Sequence, residues 1–244
     1  NIETLGSEAY TIEGELKEAI LDADVIFIHM CPIGKDIIKN ASHLKYIASA
    51  RGGVENIAGK EAQEKGIKII HCPMHNAFAV AELTIGLMIC ETRNVARANY
   101  ALKNGEWREQ YPNTGHILEL RSMCVGLIGF GAIGRLVAQR LKVFGSRILI
   151  YDPFVAKEEI EALGYEAVDK DTLLKESDIV SLHGRIGPND PPLIAKAELE
   201  KMKPSAYLIN TARAVLVNME DLEEALIHKT IAGAAIDVFP KEPL

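Results

Sequence analysis

Residues 125–152 read VGLIGFGAIGRLVAQRLKVFGSRILIYD. Val125–Ile128 is a short apolar run of strand type, and Gly129-Phe130-Gly131-Ala132-Ile133-Gly134 follows it at once. Arg135–Phe144 places Leu136, Val137, Leu141 and Phe144 on one helical side, Gly145 ends that pattern, and Arg147–Tyr151 is a second strand with Asp152 at its tip. Strand, glycine turn, helix, strand and acid form the context in which a GxGxxG spacing signals dinucleotide binding. Gly129 permits the tight turn, Gly131 lets a pyrophosphate approach the backbone, and Gly134 lets the helix pack close to the sheet. The N–H groups near Ala132 and Ile133 open the helix and face the phosphates, aided by the helix dipole. Asp152 follows Gly134 at close to the roughly 20 residues expected of an acid that accepts from a ribose 2′-OH, which favours NAD over NADP.

Working outward, both flanks repeat the strand–helix alternation. Upstream strands are expected at Val25–His29, Lys45–Ala50 and Ile67–His71, with helices at Glu15–Leu21, Lys35–Asn40 and Asn56–Lys65. Downstream strands are expected at Ile179–His183, Ala206–Asn210 and Ile231–Val238, which with those at 125 and 147 make five. Between the two series, Ala77–Lys103 is the longest helical pattern, nearly continuously apolar from Leu83 to Cys90, and is read as one connecting helix. The expected fold is α/β: a doubly wound parallel-sheet (Rossmann) domain over 98–244, preceded by a second parallel-sheet domain over 1–97. No strand precedes Val25, so the sequence is expected to be missing its true N-terminus.

Composition bounds the partners. The chain has 244 residues, 48% hydrophobic and 25% charged, the balance of a globular protein. A net charge of −7 argues against a nucleic-acid partner, which needs a basic stripe. No apolar run approaches the roughly 18 to 20 residues of a membrane span, and no signal peptide is expected from the opening residues. The four cysteines are scattered without a CxxC pair, so reduced thiols and a cytoplasmic location are expected. His71, Cys72 and His75 match no zinc spacing, and no metal is expected.

In a doubly wound sheet the ligand crevice lies beyond the C-terminal strand ends. The glycine turn, His183-Gly184, Thr211-Ala212-Arg213 and Asp237 all fall there. Arg213 offers a guanidinium fork for a substrate carboxylate, or is an ordinary surface arginine. Asp237 ends the apolar run Ile231–Ile236 and is expected to be at least partly buried, with a nicotinamide carboxamide or a loop as its partner. Arg51-Gly52-Gly53 ends an upstream strand and offers N–H groups and a charge to an anionic substrate, or is only a turn. Glu242 has no local pattern to interpret.

Together, RGGVENI at 51–57, NAFAVAE at 76–82, GFGAIG at 129–134, MKPSAYLINTARAVLVN at 202–218 and AAIDVFPKEP at 234–243 resemble the D-isomer-specific 2-hydroxyacid dehydrogenase family. The resemblance implies a flavodoxin-like substrate domain, incomplete here, beside an NAD domain, and a hydride exchange between NAD(H) and a small anionic 2-hydroxy or 2-oxo acid. It implies that Arg213 holds the substrate carboxylate, Glu242 pairs with the catalytic histidine, Asp237 meets the nicotinamide and Asp152 the ribose. Gly52 and Gly53 would meet the substrate carboxylate through their backbone. It also implies a homodimer. The family's catalytic histidine is expected beyond Glu242, whereas the seven histidines of this sequence all precede it, so a fragment of a longer enzyme is expected. Ala214 stands where the family usually has glycine, Gly184-Arg185 where it has a residue and then proline, and His75 where arginine is common. Arg185 is then a candidate for a cofactor phosphate. An NAD(H)-sensing corepressor on the same fold is the alternative function. An S-adenosylmethionine methyltransferase gives no role to Arg213 or Glu242.

Overall fold

The computed structural model describes residues 6–187 and 190–241. The chain divides into two compact units, Asn1–Asn76 and Ala77–Leu244, a division that falls ahead of the long helical stretch, whereas the sequence reading divides the chain within it, at 97/98.

In the first unit the order is α1 (Gly14–Asp22), β1 (Val25–Ile28), α2 (Lys35–Asn40), β2 (Tyr46–Ser49), α3 (Gly59–Glu64) and β3 (Lys68–His71). The three strands are parallel in the order β1-β2-β3, in register Val25 to Tyr46 and Tyr46 to Lys68. Ile20, Ile26, Ile28, Ile38, Ile47 and Ala62 form its core. Helix α3 starts later than the expected 56–65, because Asn56 is buried and its amide donates to the Cys31 carbonyl at 2.8 Å while Ile57 bridges Ile33.

The second unit runs α4 (Ala77–Thr92), α5 (Val95–Lys103), β4 (Cys124–Ile128), α6 (Ala132–Phe144), β5 (Arg147–Tyr151), α7 (Lys157–Ala162), β6 (Glu166–Ala167), α8 (Lys170–Glu176), β7 (Ile179–Leu182), α9 (Lys196–Leu199), β8 (Tyr207–Asn210), α10 (Met219–Ile227) and β9 (Gly233–Ile236). All pairings are parallel, in the order β6-β5-β4-β7-β8-β9. The five expected strands are present and the two-residue β6 adds a sixth. Every residue of β4, β7 and β8 is buried, as a parallel sheet covered on both faces requires. One face packs Val125, Leu127, Ile148, Ile150 and Ile209 against Val137 and Leu141 of α6 and Ala81, Ile85 and Met88 of α4. The other packs Ile128, Leu149, Val180 and Leu208 against Leu173, Leu174 and Leu222. Each such side chain contributes about 1.5–3 kcal/mol on burial.

The single helix expected over 77–103 is broken. Asn94 adopts the left-handed conformation (φ 55°) between α4 and α5. Its amide donates to the Asn113 side-chain oxygen at 2.7 Å, and Asn113 in turn donates to the Thr92 carbonyl at 2.9 Å. Asparagine tolerates this backbone, and the paired amides satisfy the polar groups that the break exposes.

Candidate active site

The strand order reverses between β5-β4 and β7, so the crevice opens at the C-terminal ends of β4 and β7. The glycine turn fills that corner. Gly129 has φ 103°, and a Cβ on it would collide with Gly184 N and the His183 carbonyl carbon. A Cβ on Gly134 would strike the Gly129 carbonyl oxygen, so α6 sits on the turn with no room for a side chain. Gly131 differs: its backbone is unstrained and a Cβ there would meet nothing within 4 Å. The fold alone therefore does not require glycine at 131, whereas a pyrophosphate laid on the turn does. Gly131 is the N-cap of α6 and makes no side-chain cap, which leaves the first N–H groups, at Ala132 and Ile133, directed at the crevice. These residues fit a dinucleotide.

Asp152 stands just past β5. Its Oδ2 accepts from the Phe130 N–H at 2.7 Å and its Oδ1 from the Phe154 N–H at 2.8 Å. The carboxylate thus ties the glycine turn to the loop after β5 while keeping lone pairs for a ribose hydroxyl. Arg135 lies over the Phe130 ring at 4.4 Å, and Phe130 meets Tyr165 edge-on, which braces the same turn from behind.

His183 follows β7, its N–H donating to the Ile128 carbonyl at 2.8 Å. Its Nε2 lies 3.0 Å from Ser181 Oγ, and its buried Nδ1 has no partner among the described residues. Burial lowers the ring pKa to about 4, so at neutral pH it is an uncharged imidazole. Gly184 has ordinary backbone and ordinary contacts, and Arg185 is exposed.

Past β8, the buried Asn210 organises the next three residues. Its amide donates to the Arg213 carbonyl at 2.9 Å and its Oδ1 accepts from the Ala212 N–H at 3.1 Å. Arg213 Nη1 donates to the Ala212 carbonyl at 2.8 Å. Thr211 Oγ1 lies 2.8 Å from Thr84 Oγ1, and Thr84 donates to the Val80 carbonyl at 2.8 Å. Asn210 and Thr84 were not singled out from the sequence. A polar residue ending an apolar strand was the available signal for Asn210, and none existed for Thr84.

Asp237 follows β9 and donates its N–H to the Asn210 carbonyl at 3.0 Å. Its side chain is exposed, not partly buried as expected, because the apolar run ends with the strand at Ile236. Glu242 lies outside the described residues. In the first unit, Arg51, Gly52 and Gly53 form the turn after β2, with the Arg51 N–H donating to Ser49 Oγ at 3.3 Å. Among the described residues, no group of three or more His, Cys, Asp or Glu is placed to hold a metal ion, and no helix is long and apolar enough to cross a membrane.

Comparison with known proteins agrees with this geometry. Residues 85–244 match the family model for the D-isomer specific 2-hydroxyacid dehydrogenase, NAD binding domain. Over 232 residues the chain is 40% identical to D-3-phosphoglycerate dehydrogenase of Methanocaldococcus jannaschii, covering 94% of this chain and 44% of that protein. It is 41% identical over 230 residues to hydroxypyruvate reductase of Thermotoga maritima, covering 94% of this chain and 73% of the reductase. The NAD-complexed D-isomer specific 2-hydroxyacid dehydrogenase of Lactobacillus delbrueckii ssp. bulgaricus superposes with a TM-score of 0.81 at 27% identity, over 95% of this chain and 70% of that one. The chain spans less than half the length of the phosphoglycerate dehydrogenase that it matches. By sequence and by fold alike, the chain belongs to the D-isomer-specific 2-hydroxyacid dehydrogenase family, and residues 85–244 are its NAD-binding domain.

Proposed function

We propose that this chain belongs to an enzyme that exchanges a hydride between NAD(H) and a small 2-hydroxy or 2-oxo acid. The observation that carries the reading is the turn after β8, where Asn210 holds Arg213 at the C-terminal edge of the sheet that also bears the glycine turn. The named relatives act on phosphoglycerate and hydroxypyruvate, which share a carboxylate beside the reacting carbon.

When bound, NAD(H) supplies or accepts the hydride. The chain's own residues then divide the remaining work. The N–H groups of Ala132 and Ile133 receive the pyrophosphate, and Gly131 leaves room for it. Asp152 accepts from the ribose hydroxyls and repels a 2′-phosphate. Asp237 accepts from the nicotinamide carboxamide. His183, Gly184, Thr211 and Ala212 line the cofactor crevice between these points. Arg213 grips the substrate carboxylate and polarises the neighbouring carbonyl, a task that suits a planar fork. Arg51, Gly52 and Gly53 are assigned to an anionic substrate. Glu242 is assigned to the proton relay as partner of the catalytic histidine. His183 is kept out of the relay: it precedes Glu242 in the sequence, and its ring, with a pKa lowered to about 4 by burial, carries no proton to give a 2-oxo acid at neutral pH.

The test is NADH oxidation by the full-length protein against a panel of small 2-oxo acids, phosphorylated ones included. Turnover with at least one is expected; NADH binding with no turnover across the panel overturns the enzyme reading in favour of an NAD(H) sensor. A homodimer is proposed as the working form, supported by the exposed Tyr100, Leu102 and Trp107 on and after α5. Sedimentation is expected to return twice the chain mass.

A further inference from the structure

The turn after β2 is held by the end of β3 in a way that bears on its chemistry. The Cys72 N–H donates to the Arg51 carbonyl at 3.0 Å. The His71 ring approaches the Gly52 carbonyl, with Nδ1 2.9 Å from the oxygen. A carbonyl oxygen only accepts, so His71 carries its proton on Nδ1 and donates it.

Each peptide unit is a plane in which C=O and N–H point opposite ways. Anchoring the Arg51 carbonyl therefore sets the direction of the Gly52 N–H, and anchoring the Gly52 carbonyl sets that of the Gly53 N–H. Both carbonyls are drawn toward β3, and neither N–H meets an acceptor among the described residues. The loop therefore turns these two N–H groups, rather than its carbonyls, away from β3.

We propose that His71 is a positioning residue for the substrate site, its Nδ1–H holding the Gly52 carbonyl so that the Gly53 N–H is aimed at the substrate carboxylate. This rests on the reading that the Gly52-Gly53 loop meets that carboxylate. His71 is exposed, so its replacement tests the contact with little disturbance of the core. The same donation also pulls electron density toward the Gly52 oxygen, which makes the Gly53 N–H a stronger donor.

The experiment uses the full chain labelled with 15N-glycine, saturated with NADH and titrated with oxamate, a non-reacting analogue of a 2-oxo acid. It is run on the wild type, His71→Leu and His71→Asn, with KM for the best 2-oxo acid and Kd for NADH measured alongside. Oxamate is expected to shift the Gly53 amide resonance in the wild type. His71→Leu is expected to lose most of that shift and to raise KM about tenfold, the worth of one well-placed hydrogen bond, with the NADH Kd unchanged. His71→Asn, whose amide can donate from nearly the same place, is expected to restore the shift and bring KM within about threefold of wild type. A wild-type Gly53 amide indifferent to oxamate overturns the loop reading and the proposal with it. A wild-type shift that survives unchanged in His71→Leu, or an Asn variant no better than Leu, overturns the positioning role and leaves the loop reading standing.

Discussion

One half-buried imidazole, with its Nδ1 enclosed, shapes the response of this chain to mild acid. His183 is held neutral, with its pKa lowered to about 4 from the ordinary 6.5 because burial penalises the charged ring. Between those two values the unfolded chain takes up a proton that the folded one does not. Stability is therefore whole above pH 6.5 and declines as pH falls toward 4, by about 3 kcal/mol in all. Urea unfolding measured across that window is expected to show the decline, and His183→Gln to remove much of it; parallel profiles would mean that the ring is solvated. Asp152 has two duties that one substitution separates. Asp152→Asn keeps a single acceptor oxygen for the two N–H groups of Phe130 and Phe154, at a cost of about 1 kcal/mol in stability. It also removes the charge that repels a 2′-phosphate, so the preference for NADH over NADPH in a fluorescence titration is expected to fall by about tenfold. An unchanged ratio would place the carboxylate away from the ribose.

At the scale of the element, the start of α6 separates what packing requires from what a ligand requires. Gly134→Ala is expected to lower both Tm and NADH affinity, because its methyl would collide with the Gly129 carbonyl. Gly131→Ala is expected to leave Tm within a few degrees and still weaken NADH by about tenfold or more, because the methyl would enter open space that only the cofactor needs. Equal losses of Tm in the two variants would mean that Gly131 also serves packing. Elements whose character is written locally were legible from the sequence. Arg147–Tyr151 and Lys35–Asn40 have the bounds that their residues announce. Those decided by distant partners were not. The break at Asn94 depends on Asn113, reached through a loop, and no glycine or proline marks it. Strand β6 is two residues long and owes its place to pairing with Leu149 and Ile150. In the candidate site, the glycine turn and Asp152 were legible because chemistry dictates their spacing. The bracing by Asn210 and Thr84 was not, since it is visible only once α4 and β8 are brought together.

The molecule as a whole carries separate hydrophobic cores for its two units. The first gathers residues between Ile12 and Ile69, and the other unit's two clusters lie between Ala81 and Ile236. Among the described residues each core cluster draws on one unit alone, so residues 77–244 expressed alone are expected to fold cooperatively and to bind NADH with a Kd within about threefold of the intact chain. A fragment that unfolds without a transition, or that binds no NADH, would show that the first unit is needed to build the cofactor site. The dinucleotide chemistry was readable from one stretch of 28 residues, Val125–Asp152. The residues proposed for the substrate side, Arg51, Gly52, Gly53, Arg213 and Glu242, lie far apart in the sequence and share no local pattern, so the family resemblance was needed to group them.

The contact between Thr211 and Thr84 has a further consequence. Thr84 spends its only hydroxyl proton on the Val80 carbonyl, so the proton between the two threonines must come from Thr211. Thr211 is itself buried, so its hydroxyl proton is consumed inside the protein, in the seam between α4 and the end of β8. A helix 127 residues upstream thereby locks the donor direction at the residue that opens the turn after β8, and that turn inherits its polarity from a partner outside it.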